Sequence, residues 1–199
     1  LFLDGLRVNC SSEWTTKMVD GPGNVGVSSA PTYYANSPRV PIADRTNLFG
    51  QGGFETAAWA AEWTVSDATY VKRVTTSAHA GTASLEINGA VSITQSITRS
   101  FAVRPGNACV GKIWYKTEGL SGTGGTAFGG LSWLDAGGEV LVSNAFLIAT
   151  HDSDWTAISF FLRENAPPGA VSCSLVISLF GVTSGTPILR IDDAYISII

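Results

Sequence analysis

Charged residues are few in this sequence. Asp, Glu, Lys and Arg make up 14% of its 199 residues, against about a quarter in an ordinary soluble domain. The formal net charge is -4, and the sequence contains no cluster of Lys and Arg. Nucleic acids and anionic membranes are held mainly by basic clusters, so we expect neither as a partner. The 45% of hydrophobic residues indicates a globular domain rather than a disordered chain.

Long apolar runs and cysteine are scarce as well. No run approaches the roughly 20 residues that a membrane helix needs. The three cysteines, Cys10, Cys109 and Cys173, are an odd number without metal-ligand spacing. We expect the three cysteines to be small, buried, apolar residues. A disulfide bridge between Cys109 and Cys173 stays open as an alternative. The chain starts at Leu1 without an initiator Met or a visible signal peptide, which suggests processing or a longer parent chain.

Catalytic motifs are missing too. The sequence has two histidines, His79 and His151, in separate predicted loops with no motif around them. Neither a Gly-x-Ser-x-Gly elbow nor a His-Glu-x-x-His sequence occurs. We therefore expect a protein that is not an enzyme. A pair of glycosidase carboxylates leaves no local motif, so that alternative stays open.

What the chain does contain, from residue 47 onward, is a series of short strand patterns separated by turn signals. The predicted strands are 61–74, 82–88, 91–103, 109–117, 127–134, 139–149, 155–163, 171–180 and 188–198. Residues 135–138, Asp-Ala-Gly-Gly, are typical of a hairpin turn between two of them. No helical pattern lies between the strands, so the fold is predicted to be all-β with antiparallel connections.

Residues 1–46 differ from the rest. They contain several Gly and Pro turn signals and no helical period, yet they also carry apolar side chains such as Trp14 and Tyr33. A segment of this length without its own core is expected to lie on another surface. We predict an extended N-terminal arm that docks on a neighbour.

The last strand carries two adjacent carboxylates, Asp192 and Asp193. Neighbouring side chains on a strand point to opposite faces, so one of the two is predicted to point inward. A buried carboxylate needs a cation, a metal or several hydrogen bonds. The upstream stretch 47–55, Asn-Leu-Phe-Gly-Gln-Gly-Gly-Phe-Glu, is the expected partner. Contact between the two stretches would close residues 47–199 into one domain.

These two ends resemble those of carbohydrate-binding modules of families four, nine, sixteen and twenty-two. The middle of the chain agrees, with Ala-Gly-Thr-Ala-Ser-Leu-Glu-Ile at 80–87, Val-Arg-Pro-Gly at 103–106, Ile-Trp-Tyr-Lys at 113–116 and Trp-Leu-Asp-Ala-Gly-Gly at 133–138. The resemblance covers about three quarters of the chain, from residue 47 to its end. Together with the strand count, it favours a two-sheet antiparallel β-sandwich of the jelly-roll type.

The resemblance implies a structural calcium. Glu55 and Asp192 match the family positions, and carbonyl groups of the stretch 47–53 would complete a shell of oxygens. Two alternatives stay open for these carboxylates. They could accept hydrogen bonds from backbone N–H groups, or pair with Arg190 or Arg45.

The resemblance also implies a sugar-binding surface of flat aromatic rings with polar neighbours. The candidate stacking residues are Trp63, Tyr70, Trp114 and Trp133, and the candidate hydrogen-bonding residues are Gln95, Lys112 and Asn144. Strand alternation places Trp114 on the same side as Lys112 and Lys116, so this ring is predicted to face solvent or a cleft. The alternative for each of these aromatic residues is a place in the core.

Two functions remain. The first is a non-catalytic carbohydrate-binding module that acts in adhesion or glycan recognition, with a glycan or cell-surface polysaccharide as partner. The second is a structural protein of a viral particle, a capsid-decoration or tail component, anchored to other subunits through residues 1–46. Both predict a location outside the cell or on the virion surface.

Overall fold

The structure, a computed structural model, describes residues 47–199. The predicted arm 1–46, with Cys10 and Arg45, lies outside the described residues. A single helical turn, α1 (Trp59–Glu62), precedes ten strands. They are β1 (Thr64–Val65), β2 (Val71–Val74), β3 (Ser84–Asn88), β4 (Gln95–Ala102), β5 (Cys109–Glu118), β6 (Thr126–Leu134), β7 (Val140–Ala149), β8 (Ser153–Phe161), β9 (Ser172–Phe180) and β10 (Ile188–Ile198).

The strands form two five-stranded antiparallel sheets. Sheet one has the order β1-β4-β9-β6-β7, and sheet two has the order β2-β3-β10-β5-β8. Successive strands often change sheet, as jelly-roll connections do. The predicted all-β antiparallel sandwich is confirmed. No described helix is long and apolar enough to cross a membrane.

One predicted strand, 61–74, is wrong as a continuous element. It contains part of α1, then β1 in sheet one, a turn, and β2 in sheet two. The turn is built on Asp67, whose carboxylate accepts the Thr69 N–H at 2.8 Å and whose carbonyl accepts the N–H groups of Tyr70 and Val71. A local side-chain-to-backbone bond of this kind competes with strand pairing, which is why the chain leaves one sheet and enters the other here.

The core lies between the sheets, and strand alternation defines it. Along β6 every second side chain is buried, including Leu131 and Trp133, and the same side of β9 carries Leu175 and Ile177; each of the four is 0% exposed. The side chains between them point away from the core. Cys109 and Cys173 are free thiols in this interior, as expected of small buried residues, with their sulfur atoms 4.0 Å apart.

The two ends of residues 47–199 meet as predicted. The Asn47 side chain donates to the Ala194 carbonyl at 3.0 Å and accepts the Ile196 N–H at 3.1 Å. The Ala194 N–H in turn donates to the Gly52 carbonyl at 2.9 Å. A Cβ at Gly52 would lie 2.0 Å from the Ala194 oxygen, so only glycine allows this approach. The contact fixes the opening stretch against β10.

Candidate functional site

Two of the four predicted stacking residues lie in the core. The Trp63 side chain is 4% exposed and packs on Phe49, with ring centroids 4.9 Å apart. Trp133 is 0% exposed, and its indole N–H donates to the Glu164 carbonyl at 2.9 Å. A ring inside the sandwich cannot stack on a sugar. The prediction is therefore wrong for Trp63 and Trp133, and the alternative of a core position holds.

Trp114 faces outward from sheet two, as its lysine neighbours predicted, but the protein already covers its ring. The His79 imidazole stacks on it, with centroids 3.8 Å apart and planes 15° apart. The Lys112 ammonium group lies 5.0 Å from the ring centroid. His79 is itself held by Asp193, with Nδ1 2.6 Å from a carboxylate oxygen. A sugar could stack here only by displacing this histidine.

The remaining predicted contacts are spread over the molecule. Tyr70 is half-buried in the turn before β2, at one edge of sheet two. Gln95 is 2% exposed, and its side-chain oxygen accepts the Ser66 hydroxyl at 2.9 Å. The Asn144 amide donates to the Phe161 carbonyl at 2.9 Å. The structure does not bring the predicted stacking and hydrogen-bonding residues to one surface.

The two predicted calcium ligands accept hydrogen bonds from N–H and O–H groups. Glu55 accepts the Thr82 hydroxyl at 2.7 Å and the Thr82 N–H at 3.1 Å, and these bonds lower the pKa of Glu55. One Asp192 oxygen accepts the N–H groups of His79 and Ala80, at 2.8 and 3.1 Å. Burial raises the pKa of Asp192, and the same N–H bonds oppose that rise. Asp192 is 0% exposed, yet it lies opposite Trp114 in the register, on the outer side of sheet two, where the 79–80 loop covers it. The prediction of an inward-pointing carboxylate is therefore wrong, because a loop and not the core buries this side chain.

Hydrogen bonds within the protein engage the groups that the calcium prediction names. The carbonyl groups of Gly52 and Ala194, which lie beside the pair, already accept hydrogen bonds. Within residues 47–199, no group of three or more His, Cys, Asp or Glu side chains could hold a metal ion. Of the alternatives left open for Glu55 and Asp192, the geometry favours bonding to N–H groups. Arg190 is engaged elsewhere, with Glu86 and Glu118.

The outer face of sheet one is the surface that could hold a ligand. Its register aligns outward-pointing residues of β4, β9, β6 and β7 in three rows that cross the sheet. They are Ser100, Ser174, Ser132 and Ser143; Thr98, Val176, Gly130 and Ala145; and Ser96, Ser178, Phe128 and Leu147. We call this surface, with Phe180 at its end, the neutral face. Small and hydroxyl-bearing side chains make most of it, and two of its serines, Ser174 and Ser178, are only 7% and 9% exposed.

An aromatic pair lies at one end of the neutral face. The Phe128 and Phe180 rings meet edge to face, with centroids 6.0 Å apart and planes at 84°. Phe180 is 38% exposed, and Leu147, opposite Phe128 in the register, is 54% exposed. Next to them, a Cβ added at Gly130 would meet nothing within 4 Å. The end therefore combines one exposed ring, Phe180, and one half-buried ring, Phe128, with open space above Gly130.

The two outer faces differ in charge. None of the three rows on sheet one contains Asp, Glu, Lys or Arg. Sheet two, in contrast, carries a chain of ion pairs through Lys72, Glu86, Arg190, Glu118, Lys116 and Asp154. Arg190 lies at its centre, 2.9 Å from Glu86 and 2.7 Å from Glu118. A ligand on the neutral face meets hydroxyl groups, methyl groups and rings, with no formal charge.

Sequence reasoning missed Phe128, Phe180 and the serine positions, although part of the signal was present. Alternation along 126–134 separates Leu131 and Trp133 from Phe128 and Ser132. This parity could have placed Trp133 inside and Phe128 outside. It could not have shown that Ser100, Ser174, Ser132 and Ser143 share a row, because strand order is not a local property.

No protein-family model matches the chain, and no curated protein matches it. Solved structures do. The enzymatically active domain of tailspike protein 4 from bacteriophage CBA120 is 17% identical, with a TM-score of 0.57, over 77% of this chain and 21% of its own. TmCBM61, solved with β-1,4-galactotriose, is 21% identical, with a TM-score of 0.51, over 76% of this chain and 97% of its own.

A third similar structure contains the CBM22-1 and GH10 modules of an endo-1,4-β-D-xylanase from Clostridium thermocellum, with xylohexaose. It is 25% identical, with a TM-score of 0.51, over 73% of this chain and 27% of its own. The fold is that of a carbohydrate-binding module. The resemblance noted in the sequence is thereby confirmed for the fold. The chain spans nearly the whole of TmCBM61 and about a fifth of the tailspike domain.

Proposed function

We propose that residues 47–199 form a non-catalytic glycan-binding module whose ligand lies on the neutral face. The observation that carries the proposal is the Phe128 and Phe180 pair beside rows of serine and threonine hydroxyls. A sugar presents apolar C–H groups on the faces of its ring and hydroxyl groups around its rim. Exposed aromatic rings and polar side chains on one surface match both features.

The neutral face also indicates the class of glycan. Its rows contain no charged side chain, so it offers nothing to pair with a uronate, sulfate or phosphate group. Phe128 and Ser132 are four positions apart on β6, about 13 Å, since a strand rises roughly 3.3 Å per residue. This length suits an extended, uncharged polysaccharide lying across the aromatic pair and the serine row.

The similar structures suggest the first ligands to test. TmCBM61 was solved with a galactotriose and the Clostridium thermocellum modules with a xylohexaose. Both are uncharged β-linked oligosaccharides, so galactan and xylan fragments belong on the array. A module of this kind would act outside the cell, in adhesion or glycan recognition. A structural role in a viral particle, anchored through residues 1–46, stays a prediction.

A glycan array with the full chain tests the proposal, run beside the variants Phe128→Ala and Phe180→Ala. Each removed ring should weaken binding by about tenfold or more, because stacking and burial are lost together. Phe161→Ala is the matched control, since Phe161 is 55% exposed on β8 of the other sheet. It should bind as the unaltered chain does.

Two results would overturn the proposal. One is a well-folded chain that binds no glycan on the array. The other is binding that falls in Phe161→Ala or Trp114→Ala but survives in Phe128→Ala and Phe180→Ala, which would move the site to sheet two. Far-UV circular dichroism of every variant separates loss of binding from loss of fold.

A further inference from the structure

The four edge strands of the two sheets differ in how well they are protected against pairing with a further strand. An edge strand exposes unpaired N–H and C=O groups, and proteins usually protect it by making it short or charged. On one side of the sandwich, β1 has 2 residues, and β2 has 4 residues including Lys72 and Arg73. On the other side, β7 has 10 residues and β8 has 9. The unprotected edges therefore lie together.

Of these two, β7 is the more open. It contains no charged residue and no proline, whereas β8 carries Asp154, whose side chain is 87% exposed. The Asn144 amide also occupies one carbonyl of β8, that of Phe161. Among the residues that the structure describes, no backbone hydrogen bond outside the sheet reaches β7. Within residues 47–199, no strand pairs with its outer side.

The side chains of β7 on the neutral face follow a symmetric pattern. Leu141 and Leu147 are large and 39% and 54% exposed, and they flank the small residues Ser143 and Ala145. Two such strands paired antiparallel, with Asn144 opposite its own counterpart, would set large residues opposite large ones and small opposite small. The strand is uncharged, so this pairing opposes no like charges. A two-fold contact requires a surface that complements itself in this way.

We propose that β7 pairs antiparallel with β7 of a second copy of this chain. Sheet one then continues into sheet one of the partner, and Leu141 lies opposite Leu147 of the partner subunit. The two neutral faces become one surface with two aromatic ends. The inference rests on the edge alone and does not depend on the proposed glycan function.

Sedimentation velocity of the full chain without glycan tests the proposal, over a roughly hundredfold range of protein concentration. The unaltered chain should form a dimer. Leu147→Lys should weaken association by about tenfold or more, because a lysine on each strand places ammonium groups in the contact. Val91→Lys is the matched control, since Val91 is 50% exposed in the loop before β4 and gains the same charge. It should associate as the unaltered chain does.

Hydrogen exchange measured by mass spectrometry locates the contact. Amides of residues 140–149 should become more protected as concentration rises, and this gain should vanish in Leu147→Lys. A chain that stays monomeric throughout overturns the proposal. So does association that Leu147→Lys leaves intact, or a gain in protection that falls on residues 153–161 instead. At the lowest protein concentration, where the unaltered chain is mostly monomeric, equal melting curves for it and both lysine variants show that the effects are on association and not on folding.

Discussion

Two adjacent glycines on β6 differ in the space around them. Gly129 faces the core, where an added Cβ would lie 2.1 Å from the Phe146 ring, which itself stacks on Phe160. Gly130 faces outward, and an added Cβ would meet nothing within 4 Å. Glycine is therefore required by packing at the first position. At the second position it is required only if a ligand needs the space.

We predict effects of opposite sign on stability and binding at Gly130. Gly130→Val should raise the free energy of unfolding by roughly 0.5–1 kcal/mol, because a β-branched residue loses less backbone entropy in a strand than glycine does. The same change should weaken glycan binding by filling the open space beside Phe128. Urea unfolding and a glycan titration measure the two effects separately.

Gly129→Ala is the companion variant. It should lower the free energy of unfolding by about 1–3 kcal/mol, because the Phe146 ring has to move away from its stack. If Gly130→Val binds the glycan as strongly as the unaltered chain, the ligand does not lie over the centre of the neutral face.

At the scale of elements, the ion pairs of sheet two join all five of its strands. Lys72 on β2, Glu86 on β3, Arg190 on β10 and Lys116 on β5 are aligned by the register. Asp154 on β8 is the last member of this series of ion pairs, with a carboxylate oxygen 3.4 Å from the Lys116 ammonium. The contribution of each pair to stability depends on its exposure, because a buried charge is not solvated by water when its partner is removed.

Arg190→Met should therefore be costly. The Arg190 and Glu86 side chains are 9% and 7% exposed, so the variant leaves Glu86 buried with Lys72 at 3.5 Å and the Asn88 amide at 3.2 Å, and without its close cation. We expect a loss of about 3–5 kcal/mol in the free energy of unfolding. Lys116→Met, at a more exposed pair, should cost less than about 1 kcal/mol. Equal losses in the two variants, measured by urea unfolding, would show that burial does not determine how much each ion pair contributes to stability.

The same ion pairs predict a dependence on acid. The hydrogen bond from Arg190 holds the pKa of Glu118 below its ordinary value of 4.5. A lowered pKa in the folded state means that the unfolded chain binds the proton more readily. The stability from Glu118 is thus complete above pH 4.5 and is lost as the pH falls through the lowered pKa.

Glu118→Gln should reduce the loss of unfolding free energy that occurs as the pH falls. The Glu118 side chain is 44% exposed, so the difference should stay below about 1 kcal/mol. Urea midpoints measured from about pH 7 down to about pH 3 compare the two proteins. Parallel curves over this range would show that Glu118 contributes nothing to the acid sensitivity.

At the scale of the whole molecule, the opening stretch and β10 hold the sandwich closed. Structural calcium at Glu55 and Asp192 stays a prediction of the family resemblance. Hydrogen bonds already occupy these carboxylates, so we expect a chelator to leave the melting temperature unchanged. A melting temperature that falls in chelator and recovers with calcium, but not with magnesium, would show a bound metal. Loss of that response in Glu55→Gln would locate it.

The sequence by itself determined much of the fold, because the residue pattern of a strand is local in the sequence. A period of two residues marked eight of the predicted strands to within a few positions, and Asp135 marked the hairpin through bonds to its own neighbours. The same period separates the inner and outer faces of each strand. On β10 the period did not decide the place of the two carboxylates, because the register shifts directly after Asp192 and the 79–80 loop covers that residue.

Only the tertiary structure assembled the surface that we propose as the site. Ser100, Ser132, Ser143 and Ser174 form a row because strands far apart in sequence became neighbours, and no local pattern contains that order. Trp114 looked free until the loop of His79 folded over it. A tryptophan has the same apolar ring in the core and on a surface. Its neighbours in space, supplied by other parts of the chain, decide which of the two roles it takes.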